Sequence, residues 1–171
     1  MDGVGTVETG DNTVAAGDFD DFYQREYRPL LRLALVLSGS PNGADDLVQE
    51  TMLRAYRHWS KVANYERPGA WARRVLCNLA VSRSRKLLVE ARGLVRMRAQ
   101  RGSEEPPSDE DVWSAVRALP KREAQVIALF YVEDLSVGEI AAVLDCAEGR
   151  VKSLLHRGRQ RLATQLGEVD E

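Results

Sequence analysis

Residues 135–162 read LSVGEIAAVLDCAEGRVKSLLHRGRQRL, which contains two helix-forming segments separated by a short turn. Ser136 and Glu139 have the spacing of a capping box, in which each side chain binds a free backbone amide at the start of a helix. That helix is predicted over Val137–Leu144, and after a three-residue turn a longer helix is predicted over about Glu148–Leu166. Two helices joined by such a turn indicate a helix-turn-helix.

The longer helix has three distinct faces on a helical wheel. Its core face consists of side chains that lie within ~40° of one another: Val151, Leu155, Gly158 and Leu162. The opposite face carries small or polar groups that can approach the edges of DNA bases: Gly149, Lys152, Ser153, His156 and Gln160. A flanking stripe of Arg150, Arg157 and Arg161 suits phosphate groups. The alternative is a basic, solvated C-terminal helix, but the capping box, the turn and the three faces together favour DNA binding.

Composition excludes several classes of protein. The chain has 171 residues, 44% hydrophobic and 29% charged, which fits one ordinary or two small globular domains. Cys77 and Cys146 cannot form a disulfide framework, and no cysteine–histidine cluster has metal-ligand spacing. No apolar run approaches the ~18 residues of a membrane span, and neither His58 nor His156 has a partner base or nucleophile. We therefore expect a reduced, cytoplasmic, non-enzymatic protein without cofactor, metal or membrane insertion.

Helical periodicity also runs through the N-terminal half, where no useful β-alternation interrupts it. Residues 1–17 are small and polar and are predicted to form a disordered tail, with Asp18 as the N-cap of the first helix. The sequence SGSPNG at 38–43 is a dense turn signal. Later helices are predicted over about Ala44–Trp59 and about Gly69–Leu88.

The helical pattern breaks at residues 91–108, where glycine, serine and two prolines indicate a flexible linker. Ser108 or the residue after it can cap the first helix of a second lobe. The first lobe is therefore predicted at 18–90 and the second at 109–166, with a short tail at 167–171. The predicted fold class is all-α, with two small helical domains joined by the linker.

Charge is distributed in blocks. Residues 1–50 hold ten acidic side chains against three arginines, whereas residues 51–102 hold thirteen basic side chains against two acidic ones. Residues 103–134 return to eight acidic against three basic. This pattern indicates one surface that meets a polyanion and another that meets a basic partner. The alternative is that these charges merely lie on solvent-exposed helix faces. In that case acidic and basic residues would be expected to alternate more evenly along the chain.

Several segments together resemble one family. Asp45-Asp46-Leu47-Val48-Gln49-Glu50-Thr51 resembles region 2.2, and Arg67-Pro68-Gly-Ala-Trp71-Ala-Arg73-Arg74-Val-Leu-Cys-Asn78 resembles regions 2.3 and 2.4, of extracytoplasmic-function (group 4) sigma factors of RNA polymerase. Leu119-Pro120-Lys-Arg-Glu123 and residues 135–159 resemble region 4 of the same family. The likeness covers about residues 18–166 and is nearest to the actinobacterial SigE-like group of the sigma-70 family.

The resemblance implies a factor that binds core RNA polymerase, recognises −35 and −10 promoter elements and helps to melt the DNA. The implied polymerase-binding residues, which dock on the clamp helices of the β′ subunit, are Asp46, Leu47, Gln49, Glu50 and Arg54. The implied −10 residues combine types that hold an unstacked base beside a single strand: Asn64, Tyr65, Arg67, Trp71, Arg73, Arg74, Asn78, Arg83 and Arg85. The implied −35 residues are Gly149, Arg150, Lys152, Ser153, His156 and Arg157. Further implied partners are the β flap of polymerase and an anti-sigma factor.

Two other classes stay open. A stand-alone helix-turn-helix regulator would act without polymerase, usually as a dimer on a palindrome, and the acidic residues at 45–50 argue against it. A sigma mimic would sequester an anti-sigma factor, and the basic and aromatic residues of 64–86 argue against that. The family often has arginine where this chain has Leu154 and an acidic residue where it has Ser82, so contacts there are not carried over. Trp71 is expected to be either a core residue or a stacking platform.

Overall fold

The computed structural model describes residues 12–91 and 108–167, with side chains at 18–83 and 108–167. Within these residues the chain forms eight helices and no strand, so the all-α prediction is confirmed. The helices are α1 (Asn12–Ser38), α2 (Pro41–Arg57), α3 (Trp59–Val62), α4 (Pro68–Ala91), α5 (Asp109–Ala118), α6 (Lys121–Tyr131), α7 (Val137–Leu144) and α8 (Glu148–Leu166).

Helices α1, α2 and α4 pack against one another as a three-helix bundle. Its interior is filled by apolar side chains that include Phe22, Leu30, Leu33, Val48 and Leu76. The short helix α3 forms within the predicted connection and buries Trp59 and Val62 against the bundle. The bundle leaves one face of α2 and the start of α4 accessible.

The turn between α1 and α2 lies where the sequence predicted one. Gly39 has a φ of +71°, a conformation that glycine adopts without strain. Ser40 caps α2, because its hydroxyl accepts a hydrogen bond of 3.1 Å from the Gly43 amide. Pro41 occupies the first turn, where its missing N–H costs no hydrogen bond. Helix α2 consequently begins three residues before its predicted start at Ala44.

Helix α1 begins at Asn12 rather than after Asp18, so the predicted start was wrong by about two turns. The stretch between them contains two alanines, which favour helix, and an interior glycine costs only about 1 kcal/mol. Residues 1–11 of the predicted tail lie outside the described residues.

The C-terminal lobe consists of α5 to α8. Ser108 caps α5 in a capping box with Asp111, and α6 follows Pro120. The hydroxyl of Ser108, and then its backbone amide, donate hydrogen bonds to the Asp111 carboxylate and hold the pKa of that carboxyl below its ordinary value. Helices α7 and α8 have the predicted bounds, and both pack on α6.

The two lobes pack against each other. Helix α1 contacts α5 and α6, α4 contacts α7, and the buried residues of both lobes form one continuous core. Nothing in the periodicity of the sequence indicated this interface. Of the predicted linker, residues 92–107 lie outside the described residues.

Candidate nucleic-acid interface

The predicted helix-turn-helix is formed by α7 and α8. The Ser136 hydroxyl accepts a hydrogen bond of 3.3 Å from the Glu139 amide, and the Glu139 carboxylate accepts one of 2.8 Å from the Ser136 amide. The backbone amide of Ser136, and then its hydroxyl, hold the pKa of Glu139 below its ordinary value because both favour the ionised carboxylate. Asp145 ends α7 in the left-handed conformation, with a φ of 53°.

Helix α8 turns opposite faces to the core and to solvent. Of the predicted core face, Val151, Leu155 and Gly158 are buried and Leu162 is half-buried. Gly158 allows the helices to approach closely, since a Cβ there would lie 3.0 Å from Cγ1 of Ile127. The residues predicted to contact the −35 element are all exposed: Gly149, Arg150, Lys152, Ser153, His156 and Arg157. Leu154 is buried and adds to the core face.

Three arginines of α8 have partners within the protein. The Nε atoms of Arg157 and Arg161 lie 3.5 Å and 3.1 Å from the carboxylate oxygens of Glu123 on α6. Arg159 donates a hydrogen bond of 2.9 Å to the Tyr131 hydroxyl. The side chains of Arg157 and Arg161 are still about half exposed, so a phosphate could approach their outer edges.

The predicted polymerase-binding residues lie on α2. Asp46 and Gln49 are exposed, and the Glu50 carboxylate accepts a hydrogen bond of 2.8 Å from Arg54 Nε one turn later. Leu47 is the exception, because its side chain packs inside the bundle with 3% exposed. Leu47 therefore supports the fold and is removed from the predicted contact surface.

Asp46 and Arg83 form an ion pair, although the sequence assigned them to different partners. Arg83 also donates a hydrogen bond of 3.4 Å to the Gly43 carbonyl. This pairing ties the exposed face of α2 to the middle of α4. A partner that binds one surface would consequently contact or disturb the other.

Two of the predicted −10 residues, Tyr65 before α4 and Trp71 in its first turn, form an aromatic pair. Asn64 donates a hydrogen bond of 2.7 Å to the Ser60 carbonyl, while Tyr65 and Arg67 are exposed. Trp71 is half-buried, with its ring centroid 6.4 Å from that of Tyr65. Trp71 is thus neither a fully buried core residue nor a fully open stacking platform.

These side chains line a cleft of about 870 Å³ between the lobes. Tyr65, Arg67 and Trp71 form one wall, and Gly138 and Ala142 of the helix-turn-helix form part of the other. The predicted −10 surface therefore faces the C-terminal lobe.

Arg73 and Arg74 are directed into the same interface. Arg73 lies between Glu26 and Glu133, at 2.8 Å from each carboxylate. Arg74 donates hydrogen bonds of 2.8 Å to the carbonyls of Val143 and Ala142. Both predicted DNA contacts are thus occupied by protein groups.

The last −10 residues lie further along α4. Asn78 is exposed, and its carbonyl accepts a hydrogen bond of 3.2 Å from the Ser82 hydroxyl. Arg85 falls within α4, but its side chain lies outside those described.

Sequence reasoning missed four residues that organise these surfaces: Glu26, Glu123, Gln125 and Glu133. Each is buried or nearly so despite its polar side chain. Glu26 and Glu123 lie where the helical pattern predicts a face that packs, which is a signal for burial, whereas Glu133 lies in the loop between α6 and α7 and gave no such signal. Their partners lie far away in sequence, so the pairing could not be read from spacing.

Across 12–91 and 108–167, no group of three or more histidine, cysteine, aspartate and glutamate side chains could hold a metal ion. None of the helices in that part of the chain is long and apolar enough to cross a membrane. Burial raises the pKa of the Cys77 thiol to about 12, so that thiol is a poor nucleophile.

Comparison with known proteins identifies both lobes. Residues 22–87 match the family model described as Sigma-70 region 2, and residues 109–162 match that described as Sigma-70, region 4. These segments are the bundle with the exposed face of α2 and the lobe with the helix-turn-helix.

Individual relatives and a solved structure support the same family. The chain is 34% identical to the ECF RNA polymerase sigma factor SigE of Mycolicibacterium smegmatis, over 92% of this chain and 65% of that protein. It is 31% identical to the RNA polymerase sigma-E factor of Streptomyces antibioticus, over 87% of this chain and 84% of that protein. Its fold is similar to that of the sigma factor RpoE in complex with the anti-sigma factor NepR from Bartonella quintana, with a TM-score of 0.65, 28% identity and coverage of 89% of this chain and 99% of that one. The helix-turn-helix, the helical bundle and these relatives together show that the chain belongs to the extracytoplasmic-function group of sigma-70 family RNA polymerase sigma factors.

Proposed function

We propose that this chain directs core RNA polymerase to promoters by reading −35 and −10 elements, and that it helps to melt the DNA. The observation that carries the proposal is the two-sided geometry of α8. Its exposed face bears Gly149, Lys152 and Ser153, while its other face is anchored in the core. A helix held in this way can enter the major groove with its first turns at the base edges. Polymerase would supply all bond-making chemistry.

The docking surface for polymerase is proposed on α2 and consists of Asp46, Gln49, Glu50 and Arg54. The lobe that is proposed to contact DNA also carries these acidic side chains. They would attract a positively charged partner surface, which is proposed here to be the β′ clamp helices. The ion pair between Glu50 and Arg54 fixes both side chains on one face of the helix.

The −10 surface is proposed at the start of α4 and in the segment before it. Tyr65 and Trp71 would hold an unstacked base, since aromatic faces stack on any base. Arg67, Arg73, Arg74 and Asn78 would follow the single strand. Arg83 and Arg85, which lie later in α4, would contact the same single strand.

Two further partners follow from the family. The C-terminal lobe would dock on the β flap of polymerase, and an anti-sigma factor would bind the chain, as NepR does the related RpoE. The chain would then act in the cytoplasm, where polymerase and promoters are found.

The test is run-off transcription with purified core polymerase on a genomic promoter library. Wild-type protein should give specific initiation, and Asp46→Lys combined with Glu50→Lys should abolish both initiation and core binding. The matched control is Asp20→Lys combined with Asp21→Lys, which reverses two exposed charges on α1, outside the proposed docking surface, and should leave both unchanged.

Binding measurements alongside run-off transcription separate the two rival functions. Promoter binding without any need for polymerase would favour a stand-alone regulator. Binding of an anti-sigma factor without initiation would favour a sigma mimic.

A further inference from the structure

The exposed face of α8 carries one side chain whose charge can change near neutral pH. His156 is exposed on the same side of the helix as Lys152 and Ser153, which are proposed to contact the −35 element. Histidine ordinarily gains or loses its proton between about pH 5 and 8, whereas lysine and arginine stay charged over that range. The net charge that α8 presents to DNA therefore depends on the protonation of His156.

The elements that pack against α8 leave the imidazole of His156 without a partner. Helices α5, α6 and α7 all contact α8. No hydrogen bond or ion pair within the described residues joins the imidazole to a titratable or charged side chain of these helices or of the turns beside them: Asp109, Glu110, Asp111 and Arg117 of α5; Lys121, Arg122, Glu123 and Tyr131 of α6; Glu133 and Asp134 of the α6–α7 loop; Glu139 of α7; Asp145 and Cys146 of the turn before α8. Both ring nitrogens are therefore available to DNA.

The nearest charged side chains on α8 itself are cationic. Lys152 precedes His156 by four residues and Arg159 follows it by three, and residues at these spacings are neighbours on a helix surface. Arg159 is held in place, because it donates a hydrogen bond of 2.9 Å to the Tyr131 hydroxyl and its guanidinium lies 5.6 Å from the centre of that ring. Neither of the other two positions at these spacings carries a charge. His156 thus has cationic neighbours and no carboxylate neighbour on its own helix.

Few of the other cations of α8 are left unpaired for DNA. Arg157 and Arg161 share the Glu123 carboxylate, which offsets part of their charge. Leu154 is buried and supplies no charge. Within the described residues, α8 has three cations without an acidic partner: Arg150, Lys152 and Arg159. A proton on His156 adds a fourth.

We propose that promoter binding by α8 is coupled to the uptake of a proton by His156, so that the −35 element is bound more tightly as the cytoplasm becomes more acidic. The ring has cations beside it in the free protein, and DNA phosphates bring negative charge to the same face in the complex. The protonated ring is therefore stabilised more in the complex than in the free protein. The inference rests on the proposed function, because it requires α8 to enter the groove.

The sign of the coupling follows from this difference between the two states. The gain in affinity is fully present at a pH low enough to protonate the ring in the free protein as well as in the complex. It is lost as the pH rises until the ring is neutral in both states. One coupled proton changes the affinity by up to about tenfold per pH unit.

The test measures binding of the holoenzyme to a promoter obtained from the run-off library, at about pH 6 and about pH 8. Core polymerase has titratable groups of its own, so the wild-type affinity is divided at each pH by that of the His156→Gln holoenzyme, which carries an uncharged polar side chain. The wild type should bind roughly tenfold more tightly than His156→Gln at the lower pH, and within about twofold of it at the higher pH.

Two further variants separate the charge of this ring from other effects of pH. His156→Lys carries a fixed charge, so it should keep at the higher pH the advantage over His156→Gln that the wild type shows only at the lower one. The control is His58→Gln, which removes the other histidine of the chain. His58 is exposed between α2 and α3, outside the proposed contact surfaces, so its loss should leave the wild-type pH dependence unchanged.

The salt dependence of binding gives a second readout. A protonated imidazole beside the phosphates displaces a counterion, which adds about one unit to the slope of log affinity against log salt concentration. The wild-type holoenzyme should therefore have a slope about one unit steeper than that of His156→Gln at the lower pH. The two slopes should agree at the higher pH.

The inference is overturned if the ratio of wild-type to His156→Gln affinity is the same at both pH values. It is also overturned if the salt slopes of these two holoenzymes agree at the lower pH, or if His58→Gln removes the pH dependence. Failure of the wild-type holoenzyme to bind or initiate at any promoter, at either pH, would instead reject the proposed function.

Discussion

The carboxylate of Glu123 lies 3.1 Å from Nε of Arg161, although the glutamate side chain is only 5% exposed. Arg157, one turn earlier on α8, lies 3.5 Å from the same carboxylate. Two arginines one turn apart thus share one buried acid on α6, with Gly158 between them. This cluster adds a polar contact between α6 and α8 to the buried apolar face of α8, which includes Val151 and Leu155.

Removal of both arginines should therefore cost more stability than the two single losses added together. Arg157→Ala or Arg161→Ala leaves one cation beside Glu123, whereas the double variant leaves a buried carboxylate unpaired. We expect the excess to be about 1 kcal/mol or more in the free energy of unfolding. Urea denaturation of the four proteins measures it, and Glu123→Gln in the double variant should recover the excess. If the losses in the free energy of unfolding of the two single variants simply add in the double variant, groups other than these arginines stabilise the Glu123 carboxylate.

Two glycines should respond to alanine in opposite directions. Gly39 has positive φ, and a Cβ there would lie 2.7 Å from Nε of Arg117, so Gly39→Ala should lower the free energy of unfolding by about 1–2 kcal/mol. Gly149 lies in the first turn of α8 with open space around it, so Gly149→Ala should raise stability by about 0.5–1 kcal/mol. Urea denaturation checks both values. A stabilising Gly39→Ala would mean that the α1–α2 turn tolerates another backbone conformation.

The capping box should contribute a measurable acid dependence. Because hydrogen bonds from Ser136 hold the pKa of Glu139 below its ordinary value, the stabilisation is fully present above that ordinary value. It is lost as the pH falls through the lowered pKa of the folded protein. An NMR titration of the Glu139 carboxyl should show the lowered pKa in the wild type and a value closer to the ordinary one in Ser136→Ala. An equal pKa in the two proteins would mean that the cap does not stabilise the ionised form.

Elements whose determining interactions are local could be predicted from the sequence, and elements that depend on distant contacts could not. Ser136 and Glu139 are three residues apart, so spacing alone located the start of α7. The turn at 38–43 was located by its residue types, but α2 begins within that stretch, three residues before the predicted Ala44. The start of α1 was missed because the favourable alanines lie in a stretch that also contains a glycine. Leu47 was misassigned because a family motif does not state which of its members face the core.

The interface between the lobes could not be predicted from the sequence, for a different reason. Arg73 and Glu133 lie 60 residues apart in the chain, and each alone looks like an ordinary surface charge. Their pairing depends on how two separately patterned lobes pack, which periodicity does not encode. The candidate −35 surface could be predicted because a single amphipathic helix contains it. The candidate −10 surface could be predicted in residue type, but not in its contact with the other lobe.

Different residues on the exposed face of α8 should contact base edges and phosphates. Lys152 lies on the same side of α8 as Ser153 and His156, which face away from the core, whereas Arg150 lies on the side of Arg157 and Arg161, and both are exposed. A base-edge contact discriminates by ~1–3 kcal/mol, while a phosphate contact acts on every sequence and adds about one unit to the salt slope. In the holoenzyme, Lys152→Ala should therefore relax preference at one or two −35 positions. Arg150→Ala should weaken binding uniformly and flatten the salt dependence by about one unit.

Run-off transcription on a −35 substitution series, repeated at several salt concentrations, distinguishes these effects. Arg157→Ala should also weaken binding uniformly, but its loss should shrink in a Glu123→Gln background because that carboxylate helps to orient its side chain. Arg150→Ala, by contrast, should weaken promoter binding by the same factor with or without Glu123→Gln. If Lys152→Ala and the wild type rank every −35 variant identically, Lys152 does not read bases, and the groove-facing surface of α8 must be assigned to other residues.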